Sequence, residues 1–391
     1  MFSTRTQWNL DENGYSRALK QLRQSGAQLY DLTASNPTTV GLRYPQAEIL
    51  AALAKPGAML YEPASRGLTS ALEAVACYYA DLGTLVSTED IVLTVSTSEA
   101  YSYCFRLLCD PGDEVLIPQP SYPLFEFLAE LMDVKLVPYE LVYDHGWQIE
   151  IESLRRAITP RSRAIMLVHP NNPTGHYTKQ WERECLNALC AYHHLALIVD
   201  EVFLDYSMMM ERPKSFAGNR GALTLTLSGL SKISALPQMK SAWIVVSGPE
   251  ELAREADGRL EVIADTYLSP NAPVQLALPE LLDLRKDIQM QLGGRVQQNL
   301  FELDRLLRTQ TLCTRLDVEG GWYAILRVPA MRSDEEMAVD LMQQTGVLAH
   351  PGSFFDFPAA GHFVLSLIAP PDEFREGAGR LLKFFLEKCK A

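Results

Sequence analysis

Between residues 48 and 280, short apolar runs alternate with stretches of helical periodicity. Glu114-Val-Leu-Ile117 leads into a helical segment from Leu124 to Met132, and that into Val134-Lys-Leu-Val137. Asp110-Pro-Gly-Asp113 marks a tight turn from a helix into the next strand. This rhythm restricts the chain to an α/β fold built on a mostly parallel, helix-covered sheet. After about Leu281 the pattern changes. A long amphipathic helix to Leu307 precedes a strand from Trp322 to Val328, a helix from Asp334 to Gln344, a strand containing Val364 and a last helix from Asp372. That half predicts a smaller α+β domain. The expected division is an arm over 1–47 that packs on the small domain, a large domain over 48–280 and a small domain over 281–391.

In an open parallel sheet the carboxyl ends of the strands line the ligand crevice. Four polar segments fall just past such ends. Val95-Ser-Thr-Ser-Glu-Ala100 follows Ile91-Val-Leu-Thr94, and Pro170-Asn-Asn-Pro-Thr-Gly175 follows Ala164-Ile-Met-Leu-Val168. Asp200-Glu-Val-Phe203 follows Leu195-Ala-Leu-Ile-Val199, and Ser228-Gly-Leu-Ser-Lys232 follows Ala222-Leu-Thr-Leu-Thr-Leu227. Taken singly, the Asn-Pro segment reads as a turn, while Ser96 to Ser98 and Asp200-Glu201 read as helix caps. Taken together, one crevice collects a phosphate cradle, an amide, a carboxylate and a lysine.

That set matches the needs of pyridoxal phosphate. Ser96, Thr97 and Ser98 offer donors at a helix start, suited to a phosphate dianion. Asp200 can keep a pyridine nitrogen protonated, and Asn172 can donate to the ring oxygen. Lys232 can carry the cofactor as a Schiff base once burial has lowered its pKa.

From Asp31-Leu-Thr-Ala-Ser-Asn-Pro37 to its end, the chain resembles the class I and II aminotransferases, which are fold-type I pyridoxal phosphate enzymes. The resemblance implies that Lys232 is the Schiff-base lysine and proton shuttle, with Asp200 on the pyridine nitrogen and Asn172 on the ring oxygen. Tyr122, in Pro120-Ser-Tyr-Pro123, falls where the family stacks an aromatic on the ring. Ser96, Thr97, Ser98, Ser231 and Lys240 fall at phosphate positions. Tyr61 falls where a tyrosine reaches the phosphate of the neighbouring subunit, so a homodimer is implied. Gly320-Gly-Trp-Tyr323 resembles the small-domain strand that closes over substrate.

The chain departs from the family at three positions. Lys240 stands where an arginine usually contacts the phosphate, and it offers a point charge in place of a bidentate fork. Phe203 stands where a tyrosine often donates to the ring oxygen. Val364, in His362-Phe-Val-Leu-Ser-Leu367, stands where an arginine holds the substrate α-carboxylate. A substitute cation is expected, with Arg43 and Arg66 as candidates and Asn36 in the adjoining loop. The alternative is a substrate without a standard α-carboxylate.

A formal net charge of −13 argues against nucleic acid or an anionic membrane as partner. Seven cysteines without paired spacing read as reduced thiols of a cytoplasmic protein. The first residues show no apolar run of a signal peptide, and no window reaches membrane-spanning length. His193-His194 lacks partners at metal-ligand spacing, so no metal is expected. No Gly-x-Ser-x-Gly elbow supports a serine hydrolase. Met208-Met-Met210 reads as an exposed or dimer-facing loop. The reading is therefore an aminotransferase that moves an amino group from an amino acid or amine to a keto acid. The alternatives are a lyase on the same scaffold and a non-catalytic regulator that keeps the cofactor.

Overall fold

The structure, a computed structural model, describes residues 1–211 and 213–390. Eight strands form the main sheet. Their spatial order is Ile91–Thr94, Ala242–Ser247, Thr224–Gly229, Ala196–Asp200, Ser162–Val168, Glu114–Gln119, Lys135–Tyr143 and Trp147–Ile149. Ala242–Ser247 runs antiparallel to both neighbours, and Trp147–Ile149 is antiparallel to Lys135–Tyr143. The remaining pairs are parallel. The α/β fold with a mostly parallel sheet is thus observed.

Alternate strand residues feed opposite cores. Val92, Ile198, Leu225, Leu227 and Ile244 pack with the helices Thr97–Leu108 and Glu250–Tyr267. Ile91, Leu93, Trp243 and Val245 pack with Thr69–Asp81 and Ala272–Asp283 on the other face. Burial on both faces explains why these strands read as continuous apolar runs and not as alternating ones.

The second sheet holds Thr314–Arg315, Tyr323–Arg327, His362–Ser366 and His350–Pro351, all antiparallel in that spatial order. Among the helices around it are Arg285–Leu307, Asp334–Thr345 and Pro371–Lys388. Asp334–Thr345 starts at a Ser333/Glu336 capping box and stops at Gly346, whose φ is 74°. The N-terminal segment touches both parts. Tyr30–Asp31 pairs in parallel with Val347–Leu348, and the Tyr15 hydroxyl donates to the Ala349 carbonyl at 3.4 Å. Earlier residues cross onto the helix Leu124–Leu131, where Trp8 meets Phe127 edge-on at 5.7 Å.

One glycine ties the two parts together. Gly175 sits at φ 72°, and a Cβ there would lie 2.4 Å from Val318 Cγ2 and 2.6 Å from the Gly320 carbonyl. Only glycine lets the Asn-Pro-Thr-Gly turn approach the backbone of residues 318–320 so closely.

Candidate active site

The carboxyl ends of the central strands open into a cavity of about 380 Å³, within the usual range for small-molecule sites. A more open cleft of about 560 Å³ lies between the N-terminal arm and residues 130–135. That cleft holds none of the groups described below, so chemistry places the site in the smaller cavity.

Lys232 projects from the short helix Leu230–Ile233 at the tip of Thr224–Gly229. Its backbone carbonyl accepts from the Tyr206 hydroxyl at 2.7 Å. Its Nζ lies 5.1 Å from the Trp322 ring centroid and 5.7 Å from that of Phe203. Burial among these rings lowers the amine pKa to about 8, partly opposed by the Asp200 charge. Among the described residues no carboxylate pairs with it.

Asp200 ends the strand Ala196–Asp200 and is buried. Its Oδ2 accepts from the Tyr101 hydroxyl at 2.9 Å, and its Oδ1 accepts from the Val202 N–H at 3.0 Å. Burial raises its pKa to about 6, against those two hydrogen bonds and the Lys232 charge. A buried carboxylate held this way lacks a cation in direct contact, and a protonated ring nitrogen would supply one.

The two asparagines of the turn divide the work. Asn171 holds the loop: its Oδ1 accepts from the Thr174 hydroxyl at 2.9 Å, and its carbonyl accepts from the Gly175 N–H at 2.7 Å. Asn172 lines the cavity, and its buried Oδ1 has no partner. Thr97 and Ser98 open the helix Thr97–Leu108, where N–H groups lack a helical carbonyl, and both line the cavity with Ser231. A partly desolvated amine, an acid without a cation, the NH2 end of the Asn172 amide and a helix start suit an aldehyde, a pyridine nitrogen, a ring oxygen and a phosphate. Pyridoxal phosphate carries these four groups on one molecule, so the residues present fit it.

The family model described as aminotransferase class I and II matches residues 25–380. The chain belongs to this family. As an aminotransferase of this class, it uses pyridoxal phosphate. It is 29% identical over 376 residues to the glutamate-pyruvate aminotransferase AlaA of Escherichia coli K12, covering 93% of this chain and 92% of that one. It is 29% identical over 368 residues to the alanine aminotransferase of Mycobacterium tuberculosis H37Rv, covering 88% and 82%. Among solved structures, an Escherichia coli aminotransferase superposes with a TM-score of 0.87 at 26% identity, covering 99% and 98% of the two chains. The alanine aminotransferase of Pyrococcus furiosus gives 0.87 at 25% identity, covering 99% and 100%.

In this aminotransferase, several residues singled out in the sequence stand outside the cavity wall. Ser96 caps the helix, its hydroxyl accepting from the Glu99 N–H at 3.2 Å, and leaves the cavity to Thr97 and Ser98. Asn36 is likewise used as a cap, accepting from the Thr38 N–H at 3.0 Å, and the loop reaches the cavity through Ser35. Arg66 is not a substitute cation. It pairs with Asp257 at 2.5 Å and Glu261 at 3.0 Å on the helix Glu250–Tyr267, so its charge is already neutralised. Arg43 is exposed; its backbone N–H and carbonyl are bound by the Gln291 side chain. Lys240 is exposed beyond the lining, although it lies two residues before Ala242, the register partner of Gly229. Tyr61 is 80% exposed and does not line this cavity.

Phe203 and Tyr122 do reach the wall. Phe203 packs edge-on against Trp322 at 5.2 Å, and Tyr122 against Phe125 at 6.1 Å. Val364 is fully buried, paired in register with both Ile325 and His350. Other site residues escaped sequence reasoning: Tyr101, Tyr206, His350, Phe354 and Phe355. Tyr101 alone carried a usable signal, since it lies four residues after Thr97 on a helix and so shares its face.

Proposed function

We propose that this aminotransferase takes an apolar α-amino acid as donor and a 2-keto acid as acceptor, and that it works as a cytoplasmic homodimer. The wall of the cavity carries the substrate reading. Tyr122, Phe125, Tyr323, Phe354 and Phe355 surround the space beyond Lys232, and no arginine stands among the described lining residues. Such a wall favours an apolar side chain and offers no cation to a second carboxylate. The names of the two alanine aminotransferases to which the chain is similar support a small apolar donor. The exposure of Tyr61 supports a partner subunit. Seven free cysteines support the compartment, and among the described residues no helix is long and apolar enough to cross a membrane.

When bound, pyridoxal phosphate supplies the electron sink for charge that develops at the substrate α-carbon. Asp200 would hold its ring nitrogen, Asn172 its ring oxygen, and Thr97, Ser98 and Ser231 its phosphate. The Lys232 amine, with a pKa of about 8, has an appreciable neutral fraction near neutral pH. In that form Nζ takes the α-proton, and as ammonium it returns a proton. Trp322 and Phe203, packed against the amine, keep bulk water from that step. The division into 48–280 and 281–391 suits this arrangement, because the lysine stands in one part and Tyr323 in the other.

A panel of amino donors with 2-oxobutyrate as acceptor tests the reading. Products are followed by chromatography of the amino acid formed. Turnover of alanine, leucine or phenylalanine well above that of aspartate is expected. Preference for a dicarboxylic donor in the first half-reaction would overturn it.

A further inference from the structure

The helix Thr97–Leu108 starts at the cavity, and its first turn sorts its donors. The Ser96 hydroxyl takes the Glu99 N–H at 3.2 Å, and the Ser96 carbonyl takes the Ala100 N–H at 3.0 Å. The N–H groups of Thr97 and Ser98 precede that first intrahelical bond, and both residues line the cavity. Just outside the helix, the Val95 N–H donates to Glu99 Oε2 at 2.8 Å. The Glu99 side chain thus folds back over the turn. It forms a capping box displaced by one residue, in which the acid satisfies a donor ahead of the cap.

The same oxygen has a second partner. Glu99 Oε2 also accepts from the Ser269 hydroxyl at 2.8 Å. Ser269 lies in the short connection between the helices Glu250–Tyr267 and Ala272–Asp283. That connection is itself held. Asn271 Oδ1 accepts from the Val274 N–H at 3.0 Å, and the Pro270 carbonyl accepts from the Gln275 side chain at 2.9 Å. One carboxylate oxygen therefore moors the turn that carries Thr97 and Ser98 to a fixed loop. Neither Glu99 nor Ser269 is among the described lining residues. A carboxylate here has two opposed effects on a phosphate at the helix start. It fixes the turn, and its charge repels the dianion. Only the first effect depends on the shape of the side chain.

We propose that Glu99 is a positioning residue for the cofactor phosphate: through Val95 and Ser269 it holds Thr97 and Ser98 in the arrangement that receives the phosphate. The proposal rests on the assignment of Thr97 and Ser98 to the phosphate made above, and is independent of the identity of the amino donor.

The test uses two ligands that differ in the phosphate. Stripped protein is titrated with pyridoxal phosphate and, separately, with pyridoxal, and the visible band of the bound ligand is followed. Wild type, Glu99→Gln, Glu99→Ala and Ser269→Ala are compared, and binding of pyridoxal shows that a variant still builds its site. Glutamine Oε1 can accept both hydrogen bonds that Glu99 Oε2 accepts. The Gln and Ala variants are equally neutral, so the charge effect cancels between them. Loss of two neutral hydrogen bonds predicts a dissociation constant for pyridoxal phosphate roughly 5- to 100-fold higher in Glu99→Ala than in Glu99→Gln. For pyridoxal the two variants should agree within about twofold, because it lacks the group that the turn receives. Ser269→Ala keeps the charge and removes one bond, so it should weaken pyridoxal phosphate alone, by roughly 3- to 30-fold. If Glu99→Ala fails to bind pyridoxal, Ser269→Ala decides. Equal ratios for the two ligands, or no difference for either, overturn the role of Glu99 and leave the proposed function standing. Wild-type protein that binds pyridoxal as tightly as pyridoxal phosphate overturns the assignment of Thr97 and Ser98 itself.

Discussion

The hydroxyl of Tyr101 donates to Oδ2 of Asp200 at 2.9 Å, from a helix that the sheet carries on one face to a strand end in its middle. The donor and the Val202 N–H act together to keep a buried carboxylate ionised. Tyr101→Phe removes one of the two. A hydrogen bond to a charged group is worth about 1.5–3 kcal/mol, so cofactor affinity should fall roughly 10- to 100-fold. Reconstitution of stripped protein with pyridoxal phosphate measures this directly. An unchanged dissociation constant would mean that the ring-nitrogen contact does not depend on Tyr101.

Asp200 also makes the cofactor-free protein pH-sensitive. Its folded pKa, about 6, stands above the ordinary 3.8. Well below pH 3.8 the group is neutral whether the chain is folded or unfolded, and it has no effect on stability. As pH rises toward 6 the unfolded chain releases the proton while the folded chain keeps it, so stability falls, and above 6 the full cost remains. That cost is about 3 kcal/mol. Asp200→Asn removes it but gives up one of two acceptor oxygens. At pH 7.5 the cofactor-free variant should therefore be about 1–2 kcal/mol more stable than wild type, with the gain gone near pH 4. Urea unfolding at both pH values reads the difference. The variant should also lose nearly all activity.

Tyr61 gives the dimer a functional test. A Tyr61→Ala subunit and a Lys232→Ala subunit are each inactive as homodimers in this scheme. Mixed dimers hold one site with both residues intact, so activity should approach a quarter of the wild-type value after statistical exchange. Subunit exchange is checked by native mass spectrometry. Exchange without recovered activity would move Tyr61 out of the neighbouring site.

Restoring an arginine at position 364 should not help. Val364 is fully buried between Ile325 and His350, in a core cluster that includes Phe363 and Leu365. An unpaired guanidinium there costs about 3 kcal/mol or more, with no carboxylate beside it before substrate arrives. Val364→Arg is expected to lower the melting temperature by several degrees and to leave kcat/KM for alanine no higher than wild type. A stable variant with raised kcat/KM would show that the pocket still accommodates a bidentate cation.

The groups legible in the sequence sit at strand ends. Asn172, Asp200 and Lys232 each follow an apolar run, and a parallel sheet brings such ends to one edge whatever the detail of its helices. Position along the chain was a poor guide elsewhere. Arg66 falls in a segment expected beside the crevice, yet Asp257 and Glu261, far along the chain, hold it away. Ser96 and Thr97 are neighbours with the same chemistry, and helix geometry alone decides that one caps while the other faces the cavity. His350 carries no motif. Its place follows from the register of a two-residue strand, which no local pattern encodes.

The bond from Tyr206 to the backbone carbonyl of Lys232 has a mechanical consequence. It fixes the hinge of a lever and leaves the arm loose. Displacement of the cofactor from Nζ therefore need not move the main chain. The amine moves through the staggered torsions of its four-carbon stem about a stationary pivot, nearer to the backbone in folded rotamers and farther in extended ones. A proton picked up in one rotamer can be set down in another without any rearrangement of the sheet.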